Sequence, residues 1–289
     1  MWHVLGIIFP VFAVVAVGFL YARRHGPDMD SANRINLEVF TPALIFSVLA
    51  DRDFDLSAHL PLLLGGILVV LGSGLLAWPV ARLFGWRART FVPPMMFNNS
   101  GNMGLPLAVF AFGESALGPA LVLFLVENTL HFTLGNAMLI HRVDPRALLR
   151  LPMLRATLAG ILFSLAGWDL PRPLAEAISL LGQVAIPLML FSLGVRMIGV
   201  RLEDWRIGLA GALVCPLAGL LAAWPVTRWL PIEGGEAAQL IVFAALPPAV
   251  LNFMLAERYG VEPRRVASIV LLGNLASLVV LPLVLYAVL

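Results

Sequence analysis

Ten long apolar runs, parted by short stretches that carry most of the charge, set the pattern of this chain. They cover approximately residues 2–22, 32–50, 60–82, 88–112, 116–140, 152–168, 174–196, 204–229, 236–257 and 264–288. Each is near the length a helix needs to cross a bilayer, and none alternates as a strand would. The pattern therefore predicts an all-α membrane protein of ten transmembrane helices with short connections. The fourth run breaks its own pattern: "MMFNNSGNMGLPL" sets three asparagines, a serine and two glycines amid apolar residues. In lipid a polar, loosened backbone finds no water, so such a segment needs a structural or functional reason.

Composition agrees with the pattern: 60% hydrophobic, 12% charged, mean hydropathy +0.93. The first run, ending in "GFLYARR", is too long for a signal-peptide core and lacks a small-residue cleavage site, so it reads as a retained span. All 19 basic residues are arginine. Sixteen fall at the connections after spans 1, 3, 5, 7 and 9, for example Arg23, Arg24, Arg87, Arg89, Arg264 and Arg265. The other side holds Arg52, Arg172 and Arg228. The positive-inside rule then places the arginine-rich side in the cytoplasm and both termini outside, in the periplasm. A net charge of +2 points to no nucleic-acid partner. The single cysteine, Cys215, excludes an internal disulfide and leaves no zinc motif. Asp144 followed by Pro145 reads as the cap and first residue of a short interfacial helix.

The two halves repeat. "TPALIFSVL" recurs as "IPLMLFSLG", setting Pro42 on Pro187; "LLAWPVARLFG" recurs as "LAAWPVTRWLP", setting Trp78 on Trp224; Asn128 falls on Asn274. The near-constant offset argues for duplication, with residues 1–143 and 144–289 as the two units. Five spans is an odd number, so the second unit enters the membrane from the opposite side, giving two inverted five-helix repeats. The same offset brings "FNNSGNMGLP" of span 4 against "AALPPAVLN" of span 9. A pair of Gly/Pro-interrupted spans at corresponding positions points to a transport site.

Pro247 and Pro248 lack N–H groups and free carbonyls one turn earlier, while Gly101, Gly104 and Pro106 loosen span 4. Each break starts a half-helix near the midplane, expected around Met103 and Ala249, and the positive dipole ends face each other. Their free N–H groups, with the amides of Asn98, Asn99 and Asn102, form an anion cradle that uses no buried arginine. The expected site comprises Asn98, Asn99, Ser100, Gly101, Asn102, Gly104, Pro247, Pro248 and Asn252. A carboxylate is its natural tenant, although freed carbonyls also suit a cation. Ordinary kinks are the plainer reading, since Gly and Pro are common in membrane spans; two symmetry-related kinks, one with three asparagines, favour a site.

Other polar residues fall inside spans. Glu127 and His131 lie four apart on one helix face, as a proton relay or as a mutually neutralising structural pair. Asn128 and Asn274 brace the crossing or join helices. Glu38 in span 2 aligns with Gln183 in span 7. If spans 2 and 7 face the crossing, the two line the substrate path, with Ser47 and Ser192 deeper or nearer the opposite face. Glu38 lies so close to the span's cytoplasmic end, however, that a solvated position is the favoured reading.

"NNSGNMGLPL" and "ALPPAVLNFMLAERYGVEP" resemble the crossover segments of the auxin efflux carrier family, which includes plant carriers and bacterial carboxylate permeases. The resemblance implies a scaffold domain of helices 1, 2, 6 and 7, and a transport domain of helices 3–5 and 8–10. It also implies a substrate at the crossing of helices 4 and 9, an elevator-like movement and a homodimer. Asn98-Asn99 stands where plant members carry proline–asparagine, which argues against aromatic auxin as the substrate. The expectation is a secondary transporter of small organic anions in the bacterial inner membrane, with no cofactor and with a proton, rather than sodium, as coupling ion. A sodium-coupled symporter of the bile-acid type is the first alternative, weakened because span 9 has no acid before Glu257. A non-transporting membrane sensor is the second. No paired aspartates, H-E-x-x-H or Ser–His dyad supports an intramembrane hydrolase.

Overall fold

The computed structural model describes residues 2–51, 54–140, 150–198, 204–232 and 234–289. The expected interfacial helix at Asp144 and Pro145, and the boundary between the two repeats, lie outside the described residues. Regular structure among the described residues is helical, apart from one isolated bridge. The helices follow the apolar runs closely: α1 is Trp2–His25, α2 Asp30–Ile35, α3 Thr41–Leu49, α4 Leu60–Leu83, α5 Ala88–Met96, α6 Leu105–Phe112, α7 Leu117–Leu130 and α8 Asn136–Ile140. In the second half α9 is Pro152–Ala166, α10 Arg172–Gln183, α11 Ala185–Arg196, α12 Trp205–Trp229, α13 Gly234–Ala244, α14 Val250–Tyr259 and α15 Pro263–Val288.

Among the described residues, six stretches are long and apolar enough to cross a membrane individually: Gly6–His25, Leu60–Leu83, Glu114–Ile140, Arg172–Arg196, Trp205–Trp229 and Pro263–Val288. Ser100–Phe112 and Pro152–Ala166 are shorter apolar helices. Short π turns join α2 to α3, α7 to α8, and the residues after Asn99 to α6, so these pieces continue one another.

The fourth and ninth runs are interrupted. In the ninth, α13 ends at Ala244 and α14 begins after Ala249, where the sequence placed the break. In the fourth, α5 ends at Met96 and helical structure resumes at Ser100, not near Met103 as expected. Pro93 and Pro94 already deprive α5 of two donors. Residues 97–99 then turn their backbone to the other break. Gly101 and Gly104 belong to the resumed π turn, where their bare Cα atoms make room for the Phe124 ring and the Leu246 side chain. Among the largest fully buried side chains, Phe91, Phe97, Met103, Leu105, Leu107, Leu121 and Leu123 all lie around this interruption. Irregular backbone is thus wrapped in protein, the condition on which a bilayer tolerates it.

Two groups of helices surround it. In one, α1 packs along α11, and α3 packs on α9 and α10. In the other, α12 packs on α15 and α4, with α5 and α7 against α4. The two Trp-Pro-Val-x-Arg stretches take the same geometry in the second group: Arg82 lies over the Trp78 ring at 4.3 Å, and Arg228 lies over the Trp224 ring at 5.0 Å.

Helices in a membrane associate by close backbone approach at small residues. The α1–α11 contact shows this twice, for a methyl group on Gly18 would overlap the carbonyl oxygen of Phe191, and one on Gly194 that of Val15. Neither carbonyl can move without disturbing its helix. Gly194→Ala is therefore expected to destabilise the purified protein by about 1–3 kcal/mol, read as a lower thermal midpoint in detergent. Gly6→Ala, where nothing lies within 4 Å, serves as the control and leaves the midpoint in place.

Candidate functional site

The two interruptions meet. Asn98 and Pro248 form an antiparallel bridge. Asn99 N–H donates to Pro247 O at 2.7 Å, and Ala249 N–H donates to Phe97 O at 3.0 Å. The side chains repeat this exchange: Asn98 Nδ2 donates to Phe243 O at 2.7 Å, and Asn252 Nδ2 to Phe97 O at 2.8 Å. Phe243 lies four residues before Pro247, so Asn98 supplies the donor that Pro247 lacks. Asn274 Nδ2 donates to Pro248 O at 3.0 Å and to Val270 O at 2.8 Å, and its Oδ1 accepts from Asn99 Nδ2 at 3.3 Å. Asn128 Nδ2 donates to Phe124 O at 2.9 Å, in the same i−4 manner.

Beyond the bridge both chains become helical. Asn99 O takes the N–H groups of Met103 and Gly104. Those of Gly101 and Asn102, and of Val250 and Leu251, have no backbone acceptor among the described residues, as expected for the first turn of a helix. They border a cavity of about 160 Å³ lined by Asn98, Asn99, Gly101 and Asn102 on one chain segment and Ala249, Val250, Leu251 and Met254 on the other. Glu127, Asn128 and His131 close one wall, while Asn33, Asn36, Ser192 and Arg196 close the facing one. Two half-helix N-termini opening on one polar cavity provide a positive potential without placing a full charge at the crossing.

Glu127 sits directly behind the span 4 terminus. Its Oε2 accepts from Ser100 Oγ at 2.9 Å and from Asn128 Nδ2 at 3.1 Å. Its Oε1 lies 3.2 Å from His131 Nδ1 without an aligned hydrogen bond. The His131 ring stacks on Phe97, with centroids 4.2 Å apart and planes within 8°. Through Ser100 the Glu127 carboxylate is tied to the first residue of the resumed helix.

Glu38 is exposed, the solvated position expected for it. Asn36, two residues earlier and so roughly 200° away around the helix, faces the cavity in its place. Gln183 is also exposed and lines a separate vestibule of about 1070 Å³ with Ser47, Asp51, His59, Glu114 and Glu176. The nine residues from Gln183 to Ser192 turn the helix by about two and a half turns, which carries the two to opposite faces. Ser47 therefore opens on the vestibule and Ser192 on the crossing cavity. Ser100 and Gly104 border a smaller hollow of about 20 Å³ on the other side of the crossing, beside Gln239. Pro247 and Pro248 contribute backbone carbonyls, not side chains, to the crossing.

The sequence reading gives Arg196 no place at the cavity, although no buried arginine lies at the crossing itself. This half-buried side chain borders the same cavity and touches Met254 Sδ at 2.8 Å. Counting it with the arginine-rich connections hid it. Its position one turn beyond Ser192, on the same helix face, was the legible signal.

A multi-pass helical membrane protein built around a polar, solute-sized cavity is the architecture these observations define. A family model described as "Membrane transport protein" matches residues 135–285, and the chain belongs to that family, the one that contains the auxin efflux carriers. It is a membrane transporter and not an enzyme. A protein of Rhizobium meliloti (strain 1021) named "Putative malonate transporter" is 26% identical over 317 residues, covering 100% of this chain and 97% of its own. An uncharacterized transporter of Methanocaldococcus jannaschii is 24% identical over 200 residues, covering 65% and 64%. Auxin efflux carrier component 1 of Arabidopsis thaliana is 31% identical over 144 residues, which is 46% of this chain and 22% of the plant protein. The span 4 motif lies before the residues that the family model matches.

Removing a buried amide that joins the two breaks gives up a hydrogen bond that no water can replace, at a cost of about 0.5–1.5 kcal/mol. Asn98→Ala and Asn252→Ala are thus expected to lower the thermal midpoint of the purified protein. Asn102→Ala, whose side chain has no hydrogen-bond partner among the described residues, leaves it unchanged.

Proposed function

We propose that this chain is a secondary active transporter that moves small organic anions, carboxylates in particular, across the bacterial inner membrane by an elevator-like alternation. The observation that carries the proposal is the convergence of two half-helix N-termini, with unpaired N–H groups, on one cavity. Asn99, Asn102 and the free amides of Gly101, Val250 and Leu251 hold the carboxylate; Asn98, Asn252 and Asn274 hold the crossing in shape. The printed name of the full-length relative, which refers to malonate, supports a carboxylate as cargo.

Residues 1–143 and 144–289 form two inverted five-helix repeats with helices 4 and 9 crossed, and both termini in the periplasm. The opposite placement of the aligned serines Ser47 and Ser192 supports the inversion. Spans 1, 2, 6 and 7 form the scaffold, supported by the α1–α11 and α3–α9–α10 contacts. Spans 3–5 and 8–10 carry the crossing. Asn33, Asn36 and Arg196 lie at arginine-rich span ends, so the cavity opens to the cytoplasm, and the hollow of about 20 Å³ marks the closed outer side.

Glu127 couples the movement to protons. A substrate anion and an ionised Glu127 compete for the same helix terminus, so protonation of Glu127, beside His131, favours loading. Sodium is a second reading, favoured by one observation: the structure brings a carboxylate, Glu127, and a hydroxyl, Ser100, to the crossing even though span 9 carries no acid there. Counterflow of labelled malonate into proteoliposomes tests the proposal. The wild type is expected to exchange malonate faster at pH 5.5 than at 7.5 with or without sodium, and Asn99→Ala to lose exchange while remaining folded. Glu127→Gln is expected to flatten the pH dependence. Exchange that requires sodium would favour the symporter, and binding without exchange a sensor. An unchanged pH profile in Glu127→Gln would leave Glu127 and His131 as a structural pair.

A further inference from the structure

We infer that Arg196 is a second carboxylate receptor, opposite the crossing, and that it makes the cavity selective for short dicarboxylates over monocarboxylates. This rests on the carboxylate-carrier reading above. Of the ionisable side chains bordering the cavity, Glu127 and His131 face each other on the transport side, whereas Arg196 comes from the facing wall. A guanidinium presents five N–H donors in a planar fork suited to a carboxylate. Among the described residues Arg196 has no ion pair, and its one hydrogen-bonding contact is the thioether of Met254, a weak acceptor. Asp30, at the start of the adjacent α2, acts on Arg196 only at a distance.

The surroundings are built for an acceptor that the protein does not supply. Ser192 Oγ, one turn before Arg196 and on the same cavity, is buried without a hydrogen-bond partner. Its hydroxyl can donate to the same carboxylate that Arg196 pairs. Met254, which Arg196 touches, is four residues beyond Val250, so its Cα lies roughly 6 Å along the helix axis from the first free amide of the crossing. Two carboxylates joined by one or two carbons bridge that gap, each reaching its own donors. A monocarboxylate held at the crossing leaves the fork of Arg196 unfilled. Charge agrees: a dianion meets one guanidinium and two helix termini, and Glu127 need only take up a proton to remove the remaining repulsion.

The reading also gives Arg196 a part in the movement. It stands on α11, in the group of helices that packs with α1, while Met254 and the free amides of Val250 and Leu251 stand on α14. A dicarboxylate bound at both ends would tie the two groups together in the inward-open state.

The test is binding of malonate, succinate and propionate to the purified full-length protein by calorimetry, for wild type, Arg196→Gln and Arg196→Lys. Wild type is expected to prefer malonate or succinate to propionate by at least about tenfold. Arg196→Gln is expected to weaken malonate and succinate far more than propionate and so abolish that preference, and Arg196→Lys to keep part of it. A wild type that binds propionate as tightly as malonate would overturn the inference and leave the carboxylate reading intact, as would an Arg196→Gln protein with full malonate affinity. A wild type that binds none of the three would instead overturn the carboxylate reading itself. Should Arg196→Gln fail to fold, the wild-type preference and the Arg196→Lys variant still decide the matter.

Discussion

An unpaired peptide group inside a bilayer costs several kcal/mol, and this protein interrupts two apolar helices at their middles. It can do so because each interruption satisfies the other. The backbone exchange between Phe97–Asn99 and Pro247–Ala249 pairs the extended segments, and Asn98 and Asn252 reach across to the remaining carbonyls. Neither break would be tolerable alone. The packing around them, with Phe97, Met103 and Leu105 fully buried, keeps lipid away from the pairing.

From this constraint the electrostatics follow. A paired break yields two new helix N-termini, each with N–H groups that the helix cannot use. Because they open on a common cavity, the positive ends of two helices converge on one space, and the neutral asparagines shape it. The charged residues are held back: Glu127 behind the span 4 terminus, through Ser100, and Arg196 on the facing wall. Such spacing lets a site favour an anion yet release it, since no full charge lies against the crossing itself.

Much of this was legible in the sequence because hydrophobic length and proline chemistry act locally. Runs of transmembrane length became helices with ends within a few residues of expectation, and Pro247-Pro248 marked the ninth break where it occurs. The fourth break was misplaced toward Met103 because glycines were read as the weak point. Its actual position depends on pairing with Pro247 and Pro248, some 150 residues away, which no local pattern reveals. The asparagines were recognised as polar groups with a purpose, but their division between bracing and lining is a matter of three-dimensional direction. Gln183 and Arg196 show the same limit. An alignment of repeats identifies equivalent positions, yet which face each turns to the cavity is set by helix phase and by neighbours from the other group.

A carboxylate at the crossing is the central claim, and it is most directly tested by determining the structure with saturating bromomalonate and locating the bromine by its anomalous signal. The account predicts one bound molecule between the amides near Asn99, Asn102 and Val250 and the guanidinium of Arg196. Density confined to the vestibule beside Gln183 and Glu176, or a bromine bound away from both breaks, would contradict it.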